Sequence, residues 1–217
     1  MTGFLADARE FLPILLQGVW LTVLVTLGSL ALSTALGLAW VLMRVSGVAW
    51  LARTSVVLVN LIRGVPIIVI LFYVYFVMPD LGVSLSAVQA AVIGLGLAYS
   101  AYQSENFRAA IEAVDAGQRE AAASIGMGWG LSMRRVILPQ ALRVALPGFG
   151  NVCVMMLKDS SQASTITVAE LALQGKLIAS STFKNTAVFS LVALLYLCMS
   201  LPLILLVRRL ERRAAPR

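Results

Sequence analysis

The chain has 217 residues, of which 60% are hydrophobic and only 12% are charged, and its net charge is +7. Soluble domains are about 45–50% apolar and about 25% charged, so this composition excludes an ordinary soluble core and indicates a single integral membrane domain over residues 1–217. Histidine is absent, and neither Cys153 nor Cys198 stands in a metal-ligand or disulfide pattern. The basic residues mostly flank apolar segments, which is typical of membrane topology rather than of nucleic-acid binding.

Five apolar segments are predicted to cross the bilayer, since a transmembrane helix needs about 20 such residues. The predicted fold is therefore all-α, a polytopic bundle of five transmembrane helices. Of these segments the fourth is the least secure, because only its part 144–157 is free of charge. The five predicted spans are residues 18–43, 54–78, 81–104, 140–157 and 185–207.

The first span follows a short interfacial piece and is predicted to be retained. The charge-free stretch 11–43 is much longer than the apolar region of a signal peptide, about 7–15 residues. Lys and Arg number 12 in the segments 44–53, 107–143 and 208–217, against 4 in the alternate segments. Because basic loops stay in the cytoplasm, the N-terminus is predicted outside and the C-terminus inside.

The middle of the third span contains Gly94 and Gly96, with alanines around them. Small residues allow transmembrane helices to pack closely. Packing within the chain is favoured over a seam between two copies.

A polar element at about 112–139 separates the third and fourth spans on the predicted cytoplasmic side. Asp115 and Gln118 predict a capping box at the start of a helix, and Gly126 predicts its left-handed end. A second short helix is predicted next, with Trp129, Met133, Val136 and Ile137 on one side. Pro139 is predicted to stop that helix and to open the fourth span. The residues alone fit a docking element for a partner or a surface hairpin held by lipid headgroups equally well.

Sequence motifs resolve that alternative. The element contains EAAASIG followed by ILP, and further motifs are RGVP at 63–66, GQREAA at 117–122, VILPQA at 136–141 and KDSS at 158–161. This set resembles the permease subunits of polar amino-acid ABC importers, the histidine/glutamine/glutamate/arginine/opine family with its EAA motif. The resemblance covers nearly the whole chain and implies the fold of a type I ABC importer permease.

The resemblance also implies partners and residue roles. The implied partners are two ATP-binding subunits, a second permease copy or paralogue, and an extracytoplasmic amino-acid-binding protein, all at the bacterial inner membrane. The chain itself lacks the phosphate-binding sequence GxxxxGK[ST], so ATP and Mg²⁺ are expected in the partner ATPase and no cofactor in this chain. The residues expected to couple to the ATPase are Glu120, Ala121, Ala122, Ala123 and Gly126.

Charges within membrane spans indicate function, because they are costly there. Arg63 is suited to binding a carboxylate and Asp159 to binding an ammonium group, so together they would hold an amino acid. Alternatively, Arg63 pairs with a neighbour and Lys158 and Asp159 reach to the outer interface. Glu105 is predicted to pair with Arg108. The full hypothetical substrate site comprises Arg63, Gly64, Lys158, Asp159, Ser160 and Ser161.

Residues 160–184 are too polar for a span, and the resemblance implies a short helix at the outer face. This helix is either a gate or a cap of the bundle. Two other functions stay open from the residues: an ion-coupled secondary transporter of small polar solutes and a membrane-embedded enzyme. No internal repeat supports the first, and no catalytic motif supports the second.

Overall fold

The computed structural model describes residues 2–214, and this part of the chain is an all-α bundle with no strand. The last three residues of the predicted cytoplasmic tail, 215–217, lie outside it. In chain order, the α-helices of the described residues are α1 (Thr2–Val45), α2 (Ala49–Gly64), α3 (Ile67–Phe72), α4 (Ala87–Glu112), α5 (Ala116–Ser124), α6 (Trp129–Ser132), α7 (Leu138–Asp159), α8 (Leu171–Thr182) and α9 (Asn185–Ala214). The all-α prediction is confirmed.

Three helical stretches of the described residues are long and apolar enough to cross a membrane: Phe4–Val45, Trp129–Ile166 and Asn185–Arg212. The bent pair Ala49–Gly64 and Ile67–Leu81 makes a fourth crossing if its two parts form one span. The predicted number of five is therefore not confirmed by length and apolarity alone.

Helix α4 is long enough to cross a membrane but not apolar enough to meet the criterion, because most of it is buried inside the bundle. It packs along α1, α2, α3 and α7, and more than half of its residues are buried. A helix surrounded by protein has little need of a lipid-facing apolar surface, so α4 carries buried Ser100, Gln103 and Ser104. It starts at Ala87, later than the predicted residue 81, because Ser86 and Gln89 form a capping box there.

The second predicted span is broken in the middle. Helix α2 ends at Gly64 and α3 begins at Ile67, with an angle of 98° between the two parts. Pro66 lies at the break with φ −58° and ψ 140°, an extended conformation that ends α2 before the proline. The predicted disruption by Pro66 is confirmed.

The predicted opening of a helix at Pro139 is confirmed, since α7 begins at Leu138, but the predicted stop of the preceding helix is wrong. Helical structure runs from Trp129 through a π-helical turn, Met133–Ile137, directly into α7, and Pro139 lies in the first turn of α7. A π-helical turn changes the backbone hydrogen-bond pattern, so a residue without an N–H is tolerated where a regular helix would break. The second half of the cytoplasmic element, from Trp129, and the fourth span are consequently one continuous helical rod.

Helix α1 is much longer than its predicted span, 18–43, because its N-terminal half packs on protein. Phe11 and Leu15 are buried against α8 and α9, and Asp7 accepts an ion-pair hydrogen bond of 2.5 Å from Lys184. The interfacial piece predicted before the first span is thus part of α1.

The glycines of α4 face other parts of the same chain. A β-carbon at Gly94 would lie 2.8 Å from Leu71 Cδ2, and one at Gly96 would lie 2.7 Å from Leu32 Cδ2. Both distances are too short for a real contact, so the glycines permit close approach of α3 and α1. The prediction of packing within the chain is confirmed.

Candidate coupling and substrate sites

The cytoplasmic element is built on α5. Asp115 caps this helix by accepting a hydrogen bond of 2.7 Å from the Gly117 N–H. The helix ends at Ser124, and Gly126 two residues later has a φ of +77°, a left-handed conformation that favours glycine, as predicted. Arg119 ties α5 to the end of α4 by donating a hydrogen bond of 2.7 Å to the Ile111 carbonyl.

The predicted capping box is only half present. The Asp115 side chain acts as expected, but Gln118 lies beside α7 and accepts a hydrogen bond of 3.4 Å from Gln140 Nε2. This hydrogen bond to α7 uses the glutamine side chain that the local motif assigned to the cap.

The predicted coupling residues do not all face outwards. Glu120, Ala121, Ala123 and Gly126 are exposed, whereas Ala122 is buried. A helix that packs on protein turns one face inwards. Of the three consecutive alanines, Ala122 lies on that face, so it attaches α5 to the bundle instead of forming the outer surface.

Three large apolar residues of this element are exposed, and sequence reasoning did not identify them as surface features: Ile125, Trp129 and Leu131. Ile125 is 74% exposed beside Gly126, and Trp129 is 58% exposed at the start of α6. Trp129 was expected on one side with Met133 and Ile137, but only those two are buried. Large exposed apolar side chains in the same short element as exposed Glu120 are typical of a surface that a protein partner covers. The only sequence signal was an apolar residue on each side of a glycine-rich turn.

The structure joins the two opposite charges of the hypothetical substrate site through two tyrosines. Tyr99 Oη donates a hydrogen bond of 2.6 Å to Asp159 Oδ2. The rings of Tyr99 and Tyr102 have centroids 5.7 Å apart. The guanidinium carbon of Arg63 lies 6.0 Å from the Tyr102 centroid, within range of a cation–π contact.

The line Arg63–Tyr102–Tyr99–Asp159 therefore connects α2, α4 and the end of α7. Arg63 is exposed and makes no ion pair among the described residues, so its guanidinium donors are available to a ligand. Sequence reasoning missed both tyrosines, because α4 reads as a small-residue packing helix and nothing local indicates which neighbour its tyrosines meet.

The other four predicted substrate residues differ in their exposure to solvent. Gly64 and Lys158 are exposed, and Ser161 is half-buried. Ser160 is buried and its hydroxyl donates a hydrogen bond of 2.7 Å to the Leu157 carbonyl, so this hydroxyl serves its own helix rather than the surface.

Glu105 belongs to a structural ion-pair network. It contacts Arg108 at 2.8 Å, as predicted, and also Arg44 of α1 at 2.7 Å. Arg108 pairs in addition with Glu112. The network joins the C-terminal ends of α1 and α4, which leaves Glu105 satisfied within the chain.

The outer segment contains the predicted short helix, α8, and a buried carboxylate that sequence reasoning missed. Glu170 is fully buried and caps α8 by accepting hydrogen bonds of 2.9 Å from the N–H groups of Ala172 and Leu173. It also accepts a hydrogen bond of 2.8 Å from Tyr196 of α9, and Thr22 Oγ1 of α1 lies 3.5 Å away. The start of α8 is thus fixed to the two long helices α1 and α9.

Comparison with known proteins gives concordant results. The family model described as "Binding-protein-dependent transport system inner membrane component" matches residues 31–216. The chain is 41% identical over 189 residues to the probable amino-acid ABC transporter permease protein YckA of Bacillus subtilis (strain 168), which covers 87% of this chain and 84% of that protein. It is 36% identical over 207 residues to the glutamine transport system permease protein GlnP of Escherichia coli (strain K12), covering 93% of each.

The chain is also similar in structure to solved ABC transporters. An amino acid ABC transporter crystallised with histidines superposes with a TM-score of 0.90 and 34% identity, covering 96% of this chain and 97% of that one. The MetNI methionine ABC transporter in an inward-facing conformation gives a TM-score of 0.81 at 21% identity, covering 95% and 99%. The second similarity shows the fold alone.

Proposed function

Because the chain belongs to the family of inner membrane components of binding-protein-dependent transport systems, we propose that it forms the translocation path of an ATP-driven importer of polar or charged amino acids. The chain is a permease subunit of an ABC transporter, a transport component rather than an enzyme, and its family works with an ATP-binding partner. Family membership does not favour the ion-coupled alternative.

The exposed face of α5 carries the coupling proposal. Glu120, Ala121, Ala123 and Gly126 form a surface with little side-chain bulk, so a partner groove can approach the backbone closely. Glu120 supplies a charge for a basic residue of the ATPase, and Ile125 supplies an apolar contact. The rod from Trp129 to Asp159 would transmit movement of this face to the substrate region.

The proposed assembly has two ATP-binding subunits, which hold ATP and Mg²⁺, and a second permease copy or paralogue. An extracytoplasmic binding protein delivers the amino acid. Closure of the ATPase dimer brings the coupling helices together and switches the bundle from inward- to outward-facing. The proposed five spans are α1, the α2–α3 pair, α4, α7 and α9, with the N-terminus outside and the C-terminus in the cytoplasm.

For the substrate, Arg63 would bind the carboxylate and Asp159 the ammonium group of a zwitterionic amino acid. Support comes from the tyrosine line that joins them and from the freed backbone at Gly64 in the broken span. Ser161 and Lys158 lie at the same end of α7 as Asp159. Ser160 would contribute through its backbone, since its hydroxyl is taken.

The deciding experiment is ATP-dependent amino-acid uptake into proteoliposomes that contain this chain, its ATPase and its permease partner, with the binding protein supplied. Glu120→Lys is expected to abolish uptake while the subunits are still produced. Glu211→Lys, the same reversal at an exposed position near the end of α9, is the matched control and is expected to leave uptake unchanged. Uptake without any ATPase would overturn the proposal.

A further inference from the structure

An apolar groove lies beside the joint between the cytoplasmic element and α7, and we call it the inner groove. Its wall is made by α1, α4 and α7, every lining side chain is apolar, and it is a shallow groove with a volume of about 50 Å³. Buried Ala110, Ala141 and Ala145 form its floor, because their small side chains leave space between the helices. Exposed Leu38, Leu42 and Leu142 form its rim.

A pair of unpaired arginines stands at one end of this groove. Arg134 and Arg135 lie in the π-helical turn Met133–Ile137, about one helical turn before Leu138, which lines the groove. Both are exposed, and none of the ion pairs among the described residues includes either of them. An uncompensated positive pair beside an apolar groove has the chemistry of a site for an amphipathic anion.

From these observations we propose that the inner groove binds one anionic phospholipid, with an acyl chain along Leu38, Leu42 and Leu142 and the phosphate at Arg134 and Arg135. The inference rests on the proposed placing of the α5 element at the cytoplasmic surface. The rim residues Leu38, Leu42 and Leu142 belong to the predicted spans 18–43 and 140–157, whereas Phe107, Ala110, Ile111 and Leu138 lie just beyond the predicted spans on the cytoplasmic side. The groove is therefore placed at the inner edge of the acyl-chain region, with the arginines at headgroup depth.

Charge argues against a second copy of this chain as the occupant. A two-fold contact through this groove would bring two arginine pairs towards each other, and like charges in a partly desolvated interface repel. A phospholipid instead satisfies the apolar wall and the positive end at once.

The position of the site links the lipid to coupling. Arg134 and Arg135 lie in the π-helical turn that leads into α7. A phosphate bound to them would fix the depth of this turn in the membrane. Anionic lipid is therefore expected to raise the ATPase and uptake rates of the assembled complex.

The test is native mass spectrometry of the complex of this chain with its ATPase, purified and offered phosphatidylglycerol or phosphatidylcholine. Wild type is expected to retain phosphatidylglycerol preferentially. Arg134→Gln/Arg135→Gln is expected to lower that preference about 30-fold, since each basic residue near an anionic surface contributes about fivefold. Leu142→Asn, which keeps both arginines, is expected to reduce retention of both lipids because it makes the groove wall polar.

The matched control is Arg208→Gln/Arg209→Gln, an exposed arginine pair near the end of α9. It removes the same charge elsewhere and is expected to keep the preference. Equal retention of both lipids by wild type overturns the proposal. It is also overturned if the two double variants lose the preference equally, or if Arg134→Gln/Arg135→Gln releases the ATPase but not the lipid.

Lipid retention needs no transport, so the two proposals fail separately. A complex that prefers phosphatidylglycerol but imports no amino acid would reject the proposed function and support the lipid site. A complex that imports amino acids without lipid preference would do the reverse.

Discussion

Asp159 stands where α7 ends, and its carboxylate accepts the Tyr99 hydroxyl while remaining half-exposed. An amide at this position keeps the shape and the hydrogen bond but removes the charge that an ammonium group needs. A hydrogen bond to a charged group contributes about 1.5–3 kcal/mol, so Asp159→Asn is expected to lower amino-acid uptake at limiting substrate at least about tenfold.

Uptake of radiolabelled amino acid by the assembled transporter measures this effect. Asp80→Asn serves as the control, since Asp80 is exposed in the 3₁₀ turn Met78–Leu81 and bonds to nothing in the proposed site. Full uptake by the Asp159 variant would remove this residue from the substrate site.

Glu170 shows how one buried carboxylate holds several elements. Its two oxygens accept from two backbone N–H groups and from Tyr196, and glutamine of the same shape has only one accepting oxygen. Glu170→Gln is therefore expected to lower the free energy of unfolding by about 1–3 kcal/mol, because a buried donor is left unsatisfied.

Thermal unfolding in detergent measures this loss. Tyr196→Phe removes a single donor and leaves both backbone N–H groups capped by Glu170, so it is expected to cost less than the glutamine substitution. Identical unfolding of wild type and Glu170→Gln would contradict the capping role.

At the scale of elements, the contact between α1 and α8 depends on Gly18. A β-carbon at Gly18 would lie 2.8 Å from the Leu171 Cα and 2.9 Å from its backbone nitrogen. Main-chain atoms cannot rotate away, so α8 must shift, and overpacking of this kind costs about 1–3 kcal/mol. Gly18→Ala is expected to lower the melting temperature although alanine favours the helix.

Gly130 provides the matched control. A β-carbon there meets nothing within 4 Å, and the residue is helical in α6. Gly130→Ala is expected to leave the melting temperature unchanged or to raise it slightly, since alanine is favoured over glycine in a helix by up to about 1 kcal/mol. Equal destabilisation by both substitutions would show that close approach is not the cause.

Local sequence signals predicted an element correctly where a few adjacent residues are enough to determine it. The apolar stretches of α1 and α9, the bend at Pro66 and the glycine end of α5 all follow from properties of a few adjacent residues. The signals failed at Pro139, where a π-helical turn continues the helix, and at Gln118, whose side chain bonds to Gln140 of α7 instead of completing the cap.

For the molecule as a whole, membrane orientation is the prediction that the basic-residue count makes. In a Cys153→Ala/Cys198→Ala background, cysteines are placed at Ser124 of α5 or at Ser180 of α8, both exposed. A membrane-impermeant maleimide added to intact cells is expected to label position 180 and not position 124. Position 124 is expected to react only after permeabilisation, and the opposite pattern would invert the topology.

The amino-acid sequence was enough to assign the class of this protein: a membrane-embedded, all-α permease with a polar element that carries the EAA motif. Composition, arginine placement and short motifs are properties of the chain read locally, so they need no knowledge of neighbours in space. Arg63 and Asp159 could likewise be chosen from the sequence as candidate substrate-binding residues, because charges are rare in or beside apolar segments.

How these residues are connected became visible only in the folded chain. The tyrosine line from Arg63 to Asp159, the inward turn of Ala122, the cap at Glu170 and the inner groove each depend on contacts between helices far apart in sequence. In an all-helical membrane protein every helix satisfies its own backbone, so the side-chain contacts that fix helix against helix are set by packing and leave almost no local trace in the sequence.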